Sequence, residues 1–170
     1  MNLKILKFGV IGILAFSLAG CPPKKQVVKE EPKVEDQQPP KPVEEPSLRG
    51  KDYKEVADIS TVLFDLDQST LRADARGILQ KNSEVIKQHE DWEVLVEGHC
   101  DERGTTEYNL GLGQRRAAAV RQYYMTLGLS GAKIATISYG KENPACTEHT
   151  DGCWAQNRRG VTKVRIPETK

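Results

Sequence analysis

The chain has 170 residues, with 25 Lys and Arg side chains against 24 Asp and Glu, which gives a formal net charge of +1. This balance argues against a nucleic-acid-binding protein that relies on a basic surplus, and the lack of any apolar run longer than the N-terminal one excludes a polytopic membrane protein. Hydrophobic residues make up only 38% of the chain, so we expect one hydrophobic core of modest size and a segment that does not pack against it.

Residues 1–20 have the pattern of a secretory signal peptide, in which two lysines precede an apolar stretch over residues 8–18 that is short for a membrane span. The Leu-Ala-Gly-Cys sequence at 18–21 resembles the lipobox of bacterial lipoproteins. That resemblance implies cleavage before Cys21 and acylation of its thiol, and Pro22 in place of Asp implies the outer membrane. Several acyl chains on one Cys give durable anchoring. A plain signal peptide or an N-terminal anchor helix is the alternative.

Residues 21–50 are predicted to be the acylated Cys followed by a flexible linker. Seven of the nine prolines lie between residues 22 and 50, together with six basic, six acidic and only five apolar side chains. Such a segment buries too little surface to offset the entropy lost on ordering, so we predict a disordered tether with a stretched reach of about 90 Å. A proline-rich ligand for a partner domain is the alternative.

Residues 51–170 have the length of one domain and alternate between strand and helix patterns. We predict, in chain order, a strand over 60–65, a helix over 71–86 with Thr70 as its N-cap, a strand over 92–99, a helix over 106–127 ended by Gly128, a strand over 133–139, a short helix over 154–159 and a strand over 161–166. This order predicts an α/β (α+β) sandwich with helices packed on one face of a sheet.

A polar, glycine-containing turn over residues 98–109 joins the second strand to the longest helix. Asp101 lies at the strand exit, and Arg116 lies fifteen residues later, two to three turns into the helix. If the turn doubles back, the two side chains can face one pocket, where a carboxylate and a guanidinium suit a zwitterionic ligand. Free N–H groups at the helix start favour an anion in the same place. The alternative is that Asp101 and Arg116 are structural ions paired with each other or with neighbours.

A wider pattern surrounds this turn. The run VEGHCDERGTTEYNLGLGQRRAAAV at 96–120, with VLFDLDQSTL before it and ISYGKENP and NRR after it, closely resembles the OmpA-like peptidoglycan-binding domain. The resemblance implies a β-α-β-α-β-β mixed sheet. It also implies a non-enzymatic protein, without catalytic residues, metal or cofactor, that holds the diaminopimelate residue of peptidoglycan stem peptides noncovalently.

The resemblance also assigns the site. Asp101 and Arg116 would be the main polar ligands of diaminopimelate, Leu66 and Asp67 would line the same groove, and Tyr108 and Asn109 would shape or support it. Diaminopimelate differs from lysine by a distal carboxylate, and a site that pairs this group rejects lysine because protein groups are then left unpaired. We expect Ala at either Asp101 or Arg116 to abolish retention on diaminopimelate-type walls and to leave the fold intact.

With the lipobox and the linker, the resemblance extends to lipid-anchored members of the family. It implies three kinds of partner, namely peptidoglycan, outer-membrane lipid through the N-terminal acyl chains, and TolB with other Tol proteins, but no nucleic acid. The domain would face the periplasm and link the outer membrane to the wall during cell division. The alternative is an envelope scaffold lipoprotein that binds other proteins without touching the wall. Stator-type members would need a transmembrane helix, for which residues 8–18 are too short.

The cysteines predict a disulfide bond, because an exported domain lies in an oxidising compartment. Cys146 and Cys153 enclose a short loop, so a disulfide between them is the favoured pairing. Cys100 then stays free, and we expect it to be buried at the strand end as a small apolar residue.

Two other chemistries would draw on the same part of the sequence. A metal site would draw on His99, Cys100, Asp101, Cys146, His149 and Cys153, but strand neighbours point to opposite faces and the 146/153 spacing differs from that of zinc sites. A Cys–His hydrolase would use Cys100 with His89 or His149, and a glycosidase-like pair would be Glu97 and Asp101. No nucleophile motif supports the hydrolase, and we expect Glu97 to be an exposed charge on the sheet face.

Overall fold

The computed structural model describes residues 44–48 and 51–167, and all of them belong to one compact unit, Pro40–Lys170. The predicted signal peptide, Cys21 and most of the predicted linker lie outside the described residues. The elements are β1 (Val62–Leu63), α1 (Ala73–Lys87), β2 (Glu93–His99), α2 (Thr106–Thr126), a 3-10 turn (Gly131–Lys133), β3 (Ile134–Gly140), α3 (Asp151–Asn157) and β4 (Arg159–Arg165). This order confirms the predicted α/β (α+β) sandwich.

The four strands form one mixed sheet in the order β1-β4-β2-β3. β4 pairs antiparallel with both β1 and β2, and β2 pairs parallel with β3. The core lies on the face that carries Val94 and Val96 of β2, which cluster with Leu79 of α1 and with Val120 and Tyr124 of α2. Both long helices therefore cover the same face, and α2 lies over the parallel pair. No helix among the described residues is long and apolar enough to cross a membrane.

A glycine contact sets how closely α2 approaches the sheet. A Cβ atom on Gly98 would lie 1.9 Å from the carbonyl oxygen of Gly113, and one on Gly113 would lie 2.2 Å from the hydroxyl of Ser138. Only glycine at both positions allows the helix backbone to rest on the strand. The end of β2 and the first turns of α2 are thereby held together, and the candidate site forms between them.

The first two elements differ from their predicted bounds. β1 is two residues long rather than six, and it starts later than predicted because the backbone N–H and C=O of Ser60 are bonded by the side-chain amide of Asn82 instead of a strand partner. The prediction of Thr70 as the N-cap of α1 is wrong, since the N-cap is Arg72 and makes no side-chain cap. The carboxylate of Asp74 instead accepts from the Ala75 N–H and from the Arg72 guanidinium in the first turn.

The predicted ends of α2 agree with the structure to within one residue. The Thr105 hydroxyl caps the start by accepting from the Tyr108 N–H, and Gly128 adopts a φ of 95° just beyond the end. The Gly128 and Leu129 N–H groups then donate to the carbonyls of Met125 and Tyr124, which is the Schellman pattern that favours glycine.

The last two elements start earlier than predicted. α3 begins at Asp151 rather than 154, since the Thr150 hydroxyl caps it by accepting from the Cys153 N–H. It ends at Asn157 because Arg158 turns the chain into β4, two residues before the predicted strand.

Residues 44–48 of the predicted linker are among the residues that the structure describes. The carboxylate of Glu45 accepts from the backbone N–H and the hydroxyl of Thr136 on the outer edge of β3, at 2.9 and 2.8 Å, and lies 3.6 Å from Arg121. An edge strand offers unpaired backbone groups, and Glu45 pairs one of them.

Candidate ligand-binding site

The six residues that the sequence assigned to a binding groove line one cavity of about 350 Å³. The cavity lies where β2 ends, between the loop after β1 and the start of α2. Its lining comprises Leu66, Asp67, Cys100, Asp101, Arg103, Gly104, Tyr108, Asn109, Leu112, Arg116 and Arg158. Arg103 and Arg158 also line the cavity, and neither was predicted to belong to the site.

Asn109 shapes the turn that carries Asp101. Its side chain is 2% exposed, and its amide nitrogen donates to the carbonyls of Arg103 and Thr105 at 2.7 and 3.0 Å. These bonds hold the turn against the first residues of α2, so the strand end and the helix start open onto one cavity.

Asp101 is buried and fully engaged within the protein. Its Oδ1 accepts from the backbone N–H and Nε of Arg103 at 3.2 and 3.1 Å, and its Oδ2 accepts from Nη2 of Arg103 at 2.7 Å and from Nη1 of Arg158 at 3.3 Å. Burial raises the pKa of this carboxyl, but the hydrogen bonds from the two arginines outweigh burial and the pKa lies below its usual value. Asp101 is therefore an ionised carboxylate held between two guanidinium groups.

Arg116 is 1% exposed and donates mainly to backbone carbonyls. Its Nε, Nη1 and Nη2 bond the carbonyl oxygens of Gln68, His99 and Asp65 at 2.8, 2.8 and 3.0 Å. The guanidinium thus ties the end of β2 to the loop after β1, and Asp101 is not its partner among the described residues. Arg116 and Asp101 line the same cavity, and each makes its hydrogen bonds within the protein, Asp101 with two arginines and Arg116 with backbone carbonyls.

Leu66, Asp67 and Tyr108 form the rim. The Tyr108 hydroxyl donates to the Asp67 carboxylate, a hydrogen bond that raises the pKa of the phenol. Asp67 has a φ of 58°, a left-handed conformation that Asp tolerates better than most residues. Leu66 and Tyr108 are 55% and 46% exposed. The rim of the cavity therefore combines exposed apolar surface of Leu66 and Tyr108 with the Asp67 carboxylate.

Arg103 also contacts α3. Its guanidinium carbon lies 4.3 Å from the centre of the Trp154 ring, and the Trp154 Nε1–H donates to Glu102 at 2.8 Å. The same Glu102 oxygen lies 2.6 Å from Nδ1 of His149, and this contact raises the pKa of the histidine. A line of side chains thus joins the cavity to the segment before α3.

That segment is closed by a disulfide between Cys146 and Cys153, the pairing that the sequence favoured. Cys100 is a free, buried thiol that donates to the Asn109 carbonyl at 3.3 Å. Burial raises its pKa. Cys100 is thus packed at the strand end in its protonated form.

The alternative chemistries meet specific obstacles. Glu97 is 4% exposed rather than an exposed surface charge, because it pairs with Lys163 at 3.0 Å and lies 3.4 Å from His99 on the face opposite Val96. Within the described part of the chain, no group of three His, Cys, Asp or Glu side chains is arranged to hold a metal ion. His89 stacks on Trp92 and His149 binds Glu102, and neither ring contacts Cys100 among the described residues.

The chain matches one protein family and is similar to two relatives described next. Residues 63–158 match the OmpA family. The peptidoglycan-associated lipoprotein of Mesorhizobium japonicum is 48% identical over 103 residues, which cover 61% of this chain and 61% of that relative, less than two thirds of its length. The peptidoglycan-associated lipoprotein of Pseudomonas putida is 36% identical over 162 residues, which cover 92% of this chain and 97% of that relative.

Among solved structures, the peptidoglycan-associated lipoprotein from Burkholderia pseudomallei is similar to this chain with a TM-score of 0.59 and 40% identity. The similarity covers 61% of this chain and 88% of that chain.

Proposed function

The chain belongs to the OmpA family, and from this membership and the cavity we propose that it is a peptidoglycan-associated outer-membrane lipoprotein that binds diaminopimelate noncovalently. The ligand is the side chain of a peptidoglycan stem peptide, which carries an ammonium and a carboxylate on one distal carbon. In this role the domain holds the peptidoglycan wall noncovalently and cleaves no bond.

The observation that carries the proposal is that side chains of opposite charge line one cavity together with partly apolar side chains at its rim. Asp101 and Arg116 line it together with Leu66 and Tyr108. A zwitterion on an aliphatic chain matches such a lining, because charged ends need charged partners in a buried site and the methylene groups need apolar contact.

The residue roles follow from this lining. Asp101 binds the ligand ammonium. Arg116 holds the end of β2 and the loop after β1 together and offers its remaining Nη2 proton to the ligand. Leu66 and Tyr108 contact the aliphatic chain of the ligand. Asn109 supports the turn, and Asp67 orients the Tyr108 hydroxyl.

The N-terminal segments complete the proposal. Acylation of Cys21 anchors the chain in the outer membrane, and the proline-rich residues that follow let the periplasmic domain reach the wall. TolB and other Tol proteins are the proposed protein partners, and the proposed role is to hold the outer membrane to the wall during cell division. Two relatives with names that refer to peptidoglycan support this proposal.

A co-sedimentation assay with purified sacculi tests the proposal. We expect the protein to sediment with diaminopimelate-type walls and to remain in solution with lysine-type walls. Asp101→Asn keeps the shape of the side chain but removes its charge, so it should abolish sedimentation. Asp91→Asn is the matched control, since Asp91 is exposed and lies outside the cavity. Wild-type protein that sediments with neither wall would contradict wall binding and favour the scaffold alternative.

A further inference from the structure

The face of the sheet opposite the helices carries a buried polar cluster that the proposed function does not use. The His99 ring is fully buried there and stacks on the Tyr139 ring of β3, with 5.4 Å between the ring centres. Its Nε2 lies 3.4 Å from the Glu97 carboxylate, which is also buried. None of these three side chains lines the cavity at the end of β2, so the cluster is separate from the candidate site.

Two neighbours across the strands of this cluster each have a nitrogen atom without a partner. Gly98 of β2 pairs with Gly160 of the antiparallel β4. The next position along this ladder sets His99 opposite Arg159, with both side chains on the face opposite the core. Among the described residues, the buried side-chain nitrogen or oxygen atoms that lack a hydrogen-bond partner are His99 Nδ1 and Arg159 Nη1. A buried polar group left unpaired costs about 1–3 kcal/mol, so the two atoms together point to a small bound species between them.

The neighbouring carboxylate decides which of the two nitrogens can donate. Burial raises the pKa of the Glu97 carboxyl, but hydrogen bonds from His99 and Lys163 outweigh burial and lower it, so Glu97 is a carboxylate. A carboxylate only accepts, and therefore Nε2 of His99 carries the hydrogen that faces it. The Nδ1 atom then carries a hydrogen only in the imidazolium form, in which both ring nitrogens donate. The Nη1 atom of a guanidinium always donates.

Arg159 has no carboxylate in direct contact among the described residues. Its Nη2 donates to the Asn143 carbonyl at 3.1 Å, and burial lowers its pKa. The carboxylates of Glu97 and Glu55 attract it only from farther away, and both contact Lys163 instead, at 3.0 and 3.8 Å. A half-buried charge without a direct partner is costly, so an anion beside Arg159 would be stabilised.

The charges of the cluster balance when a proton and an anion enter it together. The two basic side chains and an imidazolium carry three positive charges, and the two carboxylates and one bound anion carry three negative charges. With a neutral imidazole, the basic and acidic side chains already balance. One water molecule, which accepts from the guanidinium and donates to Nδ1, then satisfies both nitrogens.

We propose that His99 Nδ1 and Arg159 Nη1, neighbours across β2 and β4, form a binding site for a small monovalent anion such as chloride. The anion binds together with a proton on His99, accepts hydrogen bonds from the imidazolium and the guanidinium, and gives Arg159 a direct ionic partner. At alkaline pH the imidazole is neutral and the anion leaves. The site ties β2 to β4 from the face opposite the core and does not rest on the proposed function.

Crystals of the protein grown in sodium bromide test the site directly, because bromide replaces chloride and scatters anomalously. At acidic pH we expect an anomalous peak in contact with both His99 Nδ1 and Arg159 Nη1, and at alkaline pH we expect none there. A water molecule alone between the two nitrogens at acidic pH overturns the proposal. This measurement uses the wild-type protein and so does not depend on the folding of a variant.

Thermal unfolding in chloride and in methanesulfonate, at equal ionic strength, gives a test in solution. At acidic pH we expect chloride to raise the unfolding midpoint by about 2 °C once half of the sites are filled, and at alkaline pH we expect no difference between the two salts. Arg159→Gln should lose the effect of chloride. Arg165→Gln is the matched control and should keep it, since Arg165 lies on the same strand but binds Glu93.

The variants and the two pH values separate the parts of the proposal. A chloride effect of wild-type size in Arg159→Gln overturns the assignment to this site. An equal effect at both pH values overturns the coupling to a proton, and a wild-type protein without any chloride effect overturns anion binding. Should Arg159→Gln fail to fold, the bromide measurement on the wild type decides alone.

Discussion

Arg116 is the side chain on which the shape of the cavity depends most. It crosses from α2 to carbonyls at the end of β2 and in the loop after β1, and it does so from a fully buried position. A buried carbonyl without a donor costs about 1–3 kcal/mol. The residue therefore contributes to the fold as well as to the site.

We predict that Arg116→Ala lowers the free energy of unfolding by about 3 kcal/mol or more, because several carbonyls lose their donor at once. Urea denaturation followed by circular dichroism measures this. The result would correct the expectation from sequence that Ala here leaves the fold intact. An unchanged midpoint would show that solvent satisfies the three carbonyls, and Arg116 would then act on the ligand alone.

His149 gives a prediction on pH. The Glu102 carboxylate raises the pKa of this exposed imidazole, so the ion pair is fully formed below the ordinary histidine pKa and is lost as pH rises through the raised value. In a proton NMR titration, Glu102→Gln should lower the midpoint of His149. An unchanged midpoint in this variant would contradict the contact.

Sequence reasoning found the residues of the cavity but not their pairing. Asp101 and Arg116 were predicted to face one pocket, which the structure shows, yet their actual partners are Arg103, Arg158 and backbone carbonyls. The partners of Asp101 and Arg116 depend on how the loop after β1 and the start of β4 approach the end of β2. No local sequence pattern encodes this approach. Arg103, two residues after Asp101, was the one partner that proximity in sequence could have indicated.

At the level of elements, the contact between α2 and β2 is the feature that positions the site. Gly98 and Gly113 allow backbone to touch backbone there, and both the turn with Asp101 and the helix with Arg116 extend from it. A side chain at this contact would push the helix away from the strand and open the cavity.

We predict that Gly98→Ala destabilises the domain more than Gly113→Ala, because the new Cβ would lie 1.9 Å from a backbone carbonyl oxygen in the first case and 2.9 Å from one in the second, where the nearest atom is the Ser138 hydroxyl. Gly77→Ala is the control: it lies inside α1 with nothing within 4 Å of its added Cβ, and should stabilise the helix by about 0.5–1 kcal/mol. Thermal unfolding of the three variants gives the order. A Gly98→Ala protein as stable as the wild type would contradict the close approach.

The helices show which element ends could be predicted from sequence. α2 carries local signals at both ends, Thr105 and Gly128, and its bounds were predicted to within one residue. The N-cap of α1 was predicted wrongly, because the N-cap Arg72 makes no side-chain cap and the carboxylate of Asp74 pairs in the first turn instead. Local capping chemistry can be read from the chain, whereas bonds between distant segments, such as Ser60 to Asn82, cannot.

For the whole molecule, the site lies at the end of the sheet where β2 meets α2, and Glu45 lies at another edge, where its carboxylate bonds Thr136 of β3. Composition predicted a proline-rich tether in front of one domain, but a single carboxylate that bonds a strand edge leaves no trace in composition. The fold class, by contrast, followed from the alternation of strand and helix patterns alone.

Chemical-shift mapping of the backbone amides, during titration with a diaminopimelate stem peptide, tests whether this cavity holds a zwitterionic amino-acid side chain of the cell wall. We expect the largest shifts on residues 66–67, 101–109 and 116, and smaller shifts of these amides with the lysine peptide at equal concentration. Saturable shifts on another surface, with these amides unmoved, would contradict it.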